Sequence, residues 1–333
     1  MKARFRVGCV PYVNARPLVA CFDQPNELVE VVYDVPSRLP ALLDSGEVDA
    51  ILVSSIEYLR RDDLVIAADV GIMSNGPVAS VRMLSKVPLE EIKTLALDES
   101  SMTSNMLAQI ILAERGVRPS LVTMEPDQAA MLAACDACVL IGDKGLEADG
   151  TGLVDVDLGA AWTELTGEPF VWALWLMRED RFPAPRWDHI YEPELLRDVL
   201  VLAEVDSSFG WVHNLEDFRL GRLPSSDPAK SEVALLELVE GTASRREFVI
   251  KNAAVRSGWS EDKVESYLSK NVRFSGGIST SLKTFQALLS EHSFLERSRR
   301  ISTTFDNCSL ESEMAKLFPD YKDRKPIRSL LRG

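Results

Sequence analysis

The residues in this chain best suited to chemistry are amides, hydroxyls and acids placed where a strand gives way to a helix. Pro11-Tyr12-Val13-Asn14-Ala15-Arg16-Pro17 follows the apolar run Phe5 to Val10 and reads as a helix start. A helix N-terminus carries unpaired N–H groups and a partial positive charge, so it can hold a carboxylate. Asn14 can add its amide to such a site, or cap the helix. Asp98-Glu99-Ser100-Ser101-Met102-Thr103-Ser104 marks a second junction of this kind. Its clustered hydroxyls beside unpaired N–H groups make either an anion cradle or an over-supplied cap. Ser54 and Ser55 end a third apolar run, and Gly142-Asp143 a fourth. An acid at that last position faces a cleft or caps the next helix. Ser80 stands in Gly76-Pro77-Val78-Ala79-Ser80-Val81, where a lone serine is more often structural than functional.

Other chemistries find little support. Cys135-Asp136-Ala137-Cys138 is a single C-x-x-C that enters a strand and has no second ligand pair, so buried thiols are expected. His189, His213 and His292 lack metal-ligand spacing and lie away from the strand ends, against a Ser-His-Asp triad. With neither G-x-G-x-x-G nor a P-loop, no nucleotide is expected, and no other cofactor or metal. Trp162, Trp172 and Trp175 fit core or hinge packing. The formal net charge of −14 argues against nucleic acid and membrane surfaces as partners. It leaves room for a small anionic substrate, which a few local donors suffice to hold. No run approaches the ~20 apolar residues of a membrane span. Met1 to Val10 lacks a signal peptide's apolar region and cleavage site, so a cytoplasmic protein is expected. The odd, scattered set of five cysteines agrees with reduced thiols. A homodimer is compatible with all of this.

The elements that must position these residues alternate. Strands are expected at Phe5–Val10, Leu28–Tyr33 and Val48–Val53. Helices are expected after Asn14, over Ser37–Ser45 with Gly46 closing it, and over Ile56–Arg60. This βαβα order implies a parallel sheet with ligands at the carboxyl ends of its strands. After Leu64–Met73 and the turn Ser74–Pro77, Val78–Ser85 reads as a strand, and the pattern restarts. Strands at Thr94–Leu97, Leu121–Met124, Ala137–Ile141, Leu153–Asp157 and Phe170–Met177 then alternate with helices at Thr103–Glu114 and Asp127–Ala134. Forty-six per cent of the residues are hydrophobic, enough for a sizeable core. Two α/β lobes are expected, residues 1–88 plus 175–295 and residues 89–174, with crossings near Lys86–Lys93 and Trp172–Arg178. The remainder is mainly helical, at Glu194–Ala203, Val233–Glu240, Arg245–Ser257, Glu261–Lys270 and Ser281–Glu291. Arg181–Ser231 is proline-punctuated, and residues 296–333 read as a polar, partly disordered tail. These features amount to a two-lobed anion-binding protein and do not choose between binding and catalysis.

Seven segments sharpen this: Pro11–Leu18, Val53–Tyr58, Gly76–Val81, Asp98–Ser104, Leu140–Asp143, Asp157–Trp162 and Thr166–Val171. In order and spacing they resemble the chorismate dehydratase family of the futalosine route to menaquinone, over residues 5–178. The resemblance resumes more weakly from Val264-Glu265-Ser266-Tyr267 to about Leu295. It implies a periplasmic-binding-protein-like type II fold with a ligand cleft between lobes. It also implies conversion of chorismate to 3-[(1-carboxyvinyl)oxy]benzoate by loss of water, with no metal. On that resemblance Asn14 and Ser80 are the catalytic residues. Tyr12, Ser54, Ser55, Ser101, Thr103, Ser104, Gly142 and Asp143 are the substrate-binding ones. The chain departs from the family at Met102, where Arg is frequent, and over residues 180–245. Two other readings use the same or a related fold. One is a solute-binding or sensory module without turnover; the other is a 1,4-dihydroxy-6-naphthoate synthase, which calls for a histidine base at a strand end.

Overall fold

A β-branched or aliphatic run is stable as a strand only if neighbours cover it, and the runs in this chain cover one another in two five-stranded sheets. The structure, a computed structural model, describes residues 5–20, 29–181, 245–272 and 278–301. The first sheet contains β1 (Phe5–Cys9), β2 (Val29–Tyr33), β3 (Ala50–Ser54), β4 (Leu64–Ser74) and β10 (Phe170–Arg178), in the order β2-β1-β3-β10-β4. The second contains β5 (Arg82–Ser85), β6 (Thr94–Asp98), β7 (Ser120–Met124), β8 (Ala137–Leu140) and β9 (Val154–Asp157), in the order β7-β6-β8-β5-β9.

Around the sheets lie α1 (Arg16–Val19), α2 (Leu39–Ser45), α3 (Ile56–Arg60), α4 (Thr103–Ala113), α5 (Gln128–Ala134), α6 (Gly142–Glu147) and α7 (Leu158–Thr166). The C-terminal helices are α8 (Arg245–Ser257), α9 (Glu261–Asn271) and α10 (Ile278–Glu291). The expected parallel pairing holds for β1 with β2 and β3, and for β6 with β7 and β8. Both sheets are nevertheless mixed. β10 runs antiparallel to β3 and β4, and β5 antiparallel to β8 and β9, because each enters its sheet from the other lobe.

The crossings lie elsewhere than the sequence suggests. The chain leaves the first sheet at Ser74, enters the second at Arg82, and returns between Asp157 and Phe170. Residues Val78 to Ser85 do not form one strand. Ala79 adopts a left-handed φ of 62°, which breaks the extended run and leaves only Arg82–Ser85 paired. That break puts Ser80 in the crossover, not in a strand. The helix α7 was not marked in the sequence, whereas α2 stops as expected at left-handed Gly46. The segments Glu194–Ala203, Val233–Glu240, most of Arg181–Ser231 and the tail beyond Ile301 lie outside the described residues.

The core is continuous where strands are covered on both faces. β10 is buried at every position from Phe170 to Met177. Trp162 of α7, Phe170 and Trp172 of β10 and Phe285 of α10 meet edge to face, with ring centroids 4.4–6.0 Å apart. Each such pair adds about 0.5–1.5 kcal/mol to its burial. The cluster pins a C-terminal helix to the strand that joins the lobes. Arg299, read from sequence as tail, is held as well: its guanidinium donates to the carbonyls of Tyr58 in α3 and of Arg61 and Leu64 beyond it, and stacks on the Tyr58 ring. Among the described residues no helix is long and apolar enough to cross a membrane.

Candidate functional site

A narrow cleft lies where the two sheets meet, enclosing about 490 Å³ when its open mouth is counted. From the first lobe it is lined by Tyr12, Asn14, Ser54, Ile72 and Trp172, among others. From the second it is lined by Ser101, Thr103, Ser104, Ile141 and Gly142. Seven residues singled out in the sequence therefore converge: Tyr12, Asn14, Ser54, Ser101, Thr103, Ser104 and Gly142. Ser55, Ser80 and Asp143 do not line the cleft. None of its lining side chains carries a formal charge at neutral pH.

The second-lobe wall is the start of α4. Met102 occupies the cap position, and no side chain caps the helix, so the hydroxyl cluster is not a surplus cap. Thr103 Oγ1 instead accepts the Ile56 N–H at 3.1 Å, across the seam between lobes. Ser55, fully buried behind the wall, donates to the Val171 carbonyl at 2.7 Å and lies 3.4 Å from Thr103 Oγ1. The loop before α4 is tied down by Asn105, whose amide donates to the carbonyls of Asp98 and Ser101 at 2.9 and 2.6 Å. Ser101 and Ser104 are left with hydroxyls toward the cleft beside the helix N-terminus, which suits an anionic ligand.

Asp98, at the end of β6, accepts from the N–H and hydroxyl of Ser100 through Oδ1. Its Oδ2 is buried with no partner among the described residues. Burial raises its pKa above the usual carboxylate value, partly offset by the Ser100 hydrogen bonds. Asp143, in the first turn of α6, is also raised, by burial and then by Glu147, while Lys263 opposes the shift. It does not cap α6, whose cap position is Ile141. The Tyr12 hydroxyl is raised chiefly by burial, with both acids nearby. Its ring lies flat against Gly142. A Cβ there would come within 3.1 Å of Tyr12 Cδ1, and the φ of +56° favours glycine independently.

On the first-lobe side Asn14 does not cap a helix. It lies inside a 3₁₀ turn, Val13–Ala15, without a side-chain cap bond. Its amide lies near the Tyr267 hydroxyl of α9, whose pKa it lowers, and its Oδ1 is buried without a partner among the described residues. The Tyr267 hydroxyl donates to Ser80 Oγ at 2.8 Å. Burial pushes this phenol up to about 12, against the lowering effect of its Ser80 and Asn14 hydrogen bonds. The Ser80 crossover is held from two sides. Asp157 accepts the N–H groups of Val78 and Ala79 at 3.0 and 2.6 Å and caps α7, and Asn271 of α9 donates to the Pro77 carbonyl at 3.1 Å. Trp172 closes the floor, its indole N–H donating to Ser74 Oγ at 3.0 Å.

The arginines nearest in sequence to these motifs are engaged in structure. Arg82 pairs with Asp155 and donates to the Gly145 and Ala148 carbonyls, while Arg16 is bonded to the Tyr33 hydroxyl at 2.6 Å. Met102 packs against the hydrophobic core. Cys135 and Cys138 are buried, and burial pushes the Cys138 thiol up to about 11. Among the described residues no group of acids, histidines and cysteines is assembled to hold a metal. Tyr267, Asn105, Asp157 and Trp172 belong to the site's machinery and were not selected from sequence. For Tyr267 the signal available was its place in the weakly matching segment 264–272. Its partner Ser80 is 187 residues away, beyond any local pattern.

The chain is similar to known proteins in sequence and in fold. A family model described as menaquinone biosynthesis matches residues 5–192. A protein of Thermus thermophilus named chorismate dehydratase is 32% identical over 195 residues, covering 53% of this chain and 71% of that protein. One of the same name from Campylobacter jejuni is 32% identical over 176 residues, covering 50% of this chain and 64% of its own. In structure the chain is similar to the periplasmic aliphatic sulphonate binding protein of Escherichia coli, with a TM-score of 0.54, 17% identity and coverage of 90% and 92%. A Candida albicans protein described as having the generic periplasmic binding protein structural fold gives 0.50, with 11% identity and the same coverage. At these identities the structural likeness establishes the fold, a periplasmic-binding-protein-like one.

Proposed function

The chain belongs to the menaquinone-biosynthesis family that includes chorismate dehydratases, and from that premise we propose that it converts chorismate to 3-[(1-carboxyvinyl)oxy]benzoate and water. The observation that carries this reading is the cleft itself. Hydroxyls and a helix N-terminus on one wall face the Asn14 amide on the other, and no charged side chain lines the space between. Neutral, fixed hydroxyl and N–H donors on the α4 wall suit a dicarboxylic acid whose charge must shift during reaction without being neutralised by a competing salt bridge.

The chemistry asks for little beyond placement. The proton on the ring carbon that bears the enol ether is vinylogously acidic, since its loss spreads charge through the ring diene into the ring carboxylate. Departure of the neighbouring hydroxyl then aromatises the ring, and the proton and hydroxide leave as water. Among the lining side chains there is no histidine, lysine or carboxylate to act as general base. The substrate's own enol-ether carboxylate, or a bound water, takes the proton. The described histidine, His292, bonds to Glu114 and Arg118 and does not line the cleft, which weighs against a synthase with a histidine base.

In this reading Asn14 contacts the reacting ring edge, and Ser80, which lies behind the cleft lining against Tyr267, reaches the leaving hydroxyl as the lobes move around the substrate. Ser101 and Ser104, with the N–H groups of α4, hold a carboxylate. Ser54 and Tyr12 line the facing wall, Gly142 lets the Tyr12 ring lie close, and Asp143 orients the hydroxyl cradle from the second lobe. Ser55 and Thr103 form the seam that sets lobe spacing. Each sheet with its helices is one lobe of a soluble, cytoplasmic enzyme, and parting of the lobes admits the substrate before closure excludes water. The test is turnover by substituted enzymes. Asn14→Ala and Ser80→Ala are each expected to lower kcat by about 10²-fold or more. Unchanged turnover in both would remove them from the chemistry.

A further inference from the structure

The Tyr267 hydroxyl lies between Ser80, behind the cleft lining, and Asn14, which lines the cleft. It donates to Ser80 Oγ at 2.8 Å, and the Asn14 amide is near enough to favour the phenolate form. A phenol has one proton, so once that proton goes to Ser80 the oxygen can only accept from Asn14. An asparagine that donates to Tyr267 must turn its Nδ2 toward it and its Oδ1 away. Asn14 Oδ1 is the atom left buried and unpartnered among the described residues. The serine is set by the same logic: its oxygen already accepts, and its own proton has no acceptor among the described residues. One hydroxyl thus fixes the polarity of two side chains, making Asn14 present an acceptor and Ser80 retain a donor.

The surroundings hold this relay in place. Tyr267 is buried in α9. The same helix grips the crossover through Asn271 and the Pro77 carbonyl, and Asp157 clamps the next two N–H groups. Ala79, next to Ser80, sits in a left-handed conformation that costs about 1–2 kcal/mol and persists only where neighbours impose it. Gly145 lets α6 pack on the Ser80 carbonyl, where a Cβ would approach to 2.2 Å. Helix, crossover and α6 therefore define where the Ser80 hydroxyl sits, and Tyr267 defines which way its hydrogen bond runs.

We propose that Tyr267 is a positioning residue of the dehydratase site, fixing Asn14 as an acceptor and Ser80 as a donor through a directed Asn14–Tyr267–Ser80 hydrogen-bond chain. It rests on the dehydratase reading above. It predicts that Tyr267 acts only through its two partners. In the full-length protein Tyr267→Phe should lower kcat for chorismate about 30- to 300-fold with KM within about threefold, as loss of a preorganised donor does. The double variant Ser80→Ala/Tyr267→Phe should be no slower than Ser80→Ala alone, because without the serine acceptor the phenol proton is free to turn to Asn14 and the polarity of that arm is already lost.

The experiment is steady-state kinetics on wild type, the two single variants and the double variant, with thermal melts to confirm folding. If Tyr267→Phe does not fold, the double variant still decides. It replaces both hydroxyls by apolar groups and leaves neither orphaned by the other's loss. A double variant matching Ser80→Ala supports the relay. A further tenfold loss in the double variant, or a folded Tyr267→Phe with kcat within threefold of wild type, overturns it. So does a loss confined to KM. If wild type itself leaves chorismate untouched, the dehydratase reading fails and the relay with it. If wild type turns over and the variants miss these values, the relay alone fails.

Discussion

Asn14, Thr103 and Ser55 are polar residues at strand-to-helix junctions, where helix capping or substrate contact is expected, and their neighbours give each a different task. Thr103 spends its hydroxyl across the interlobe seam at Ile56 N–H, and Ser55 spends its own within the first lobe, at the Val171 carbonyl. Ser55→Ala should therefore cost about 0.5–1.5 kcal/mol of stability, the worth of one buried hydrogen bond, with KM for chorismate within threefold. Denaturant melts and kinetics on the same sample check both halves. Asp98 poses the opposite case, a buried carboxylate with one oxygen unpartnered among the described residues. Its folded pKa lies above the ordinary 3.8 because burial disfavours the charge. For an acid shifted upward, stability is fully present below the unfolded pKa and is lost as pH rises through the folded one. Asp98→Asn removes that loss while keeping an acceptor for Ser100. Its Tm should exceed wild type by about 2–4 °C at pH 7, with the gap closing toward pH 4. A melt series across pH 4–7 measures this, and an equal or lower Tm at pH 7 would contradict it.

At the scale of elements, close packing decides which glycines matter. Gly145 brings α6 onto the backbone of Ser80, where an added Cβ would meet the carbonyl oxygen at 2.2 Å. Gly116 has a left-handed φ of +75° and open space around it. Gly145→Ala should cost about 3 kcal/mol or more, since backbone must move. Gly116→Ala should cost about 1 kcal/mol of conformational strain. Equal losses in the two would mean that α6 yields easily and that the Ser80 crossover is not clamped. The same packing separates what the sequence disclosed from what it hid. Strands such as Thr94–Asp98 and helices such as Thr103–Ala113 were legible because their apolar periodicity is local and their ends carry turn or cap residues. The crossover was not. Val78 to Ser85 has the composition of one strand, and only the distant clamp of Asp157 and Asn271 forces the bend at Ala79. The hydroxyl-rich strand ends were legible as residues that meet around one cleft, whereas Tyr267 was hidden because a tyrosine in an amphipathic helix is ordinarily core.

For the whole molecule, the C-terminal helices straddle both lobes. Tyr267 and Asn271 hold the crossover, Trp259 donates to Glu147 of α6 at 3.2 Å, and His292 bonds to Glu114 at the end of α4 at 2.5 Å. The lobes therefore close over a cleft whose geometry depends on a segment distant in sequence from its walls. In the proposed reading the net charge of −14 does not hinder an anionic substrate, because neutral donors and a helix N-terminus set the local field of the cleft. The most direct test is to incubate the purified protein with chorismate, without added cofactor, and to follow the products by chromatography with mass detection. The account predicts protein-dependent loss of one water and accumulation of an aromatic enol-ether diacid in step with chorismate consumed. Chorismate recovered unchanged after many enzyme equivalents of time and protein would contradict it, whether or not the cleft binds the acid.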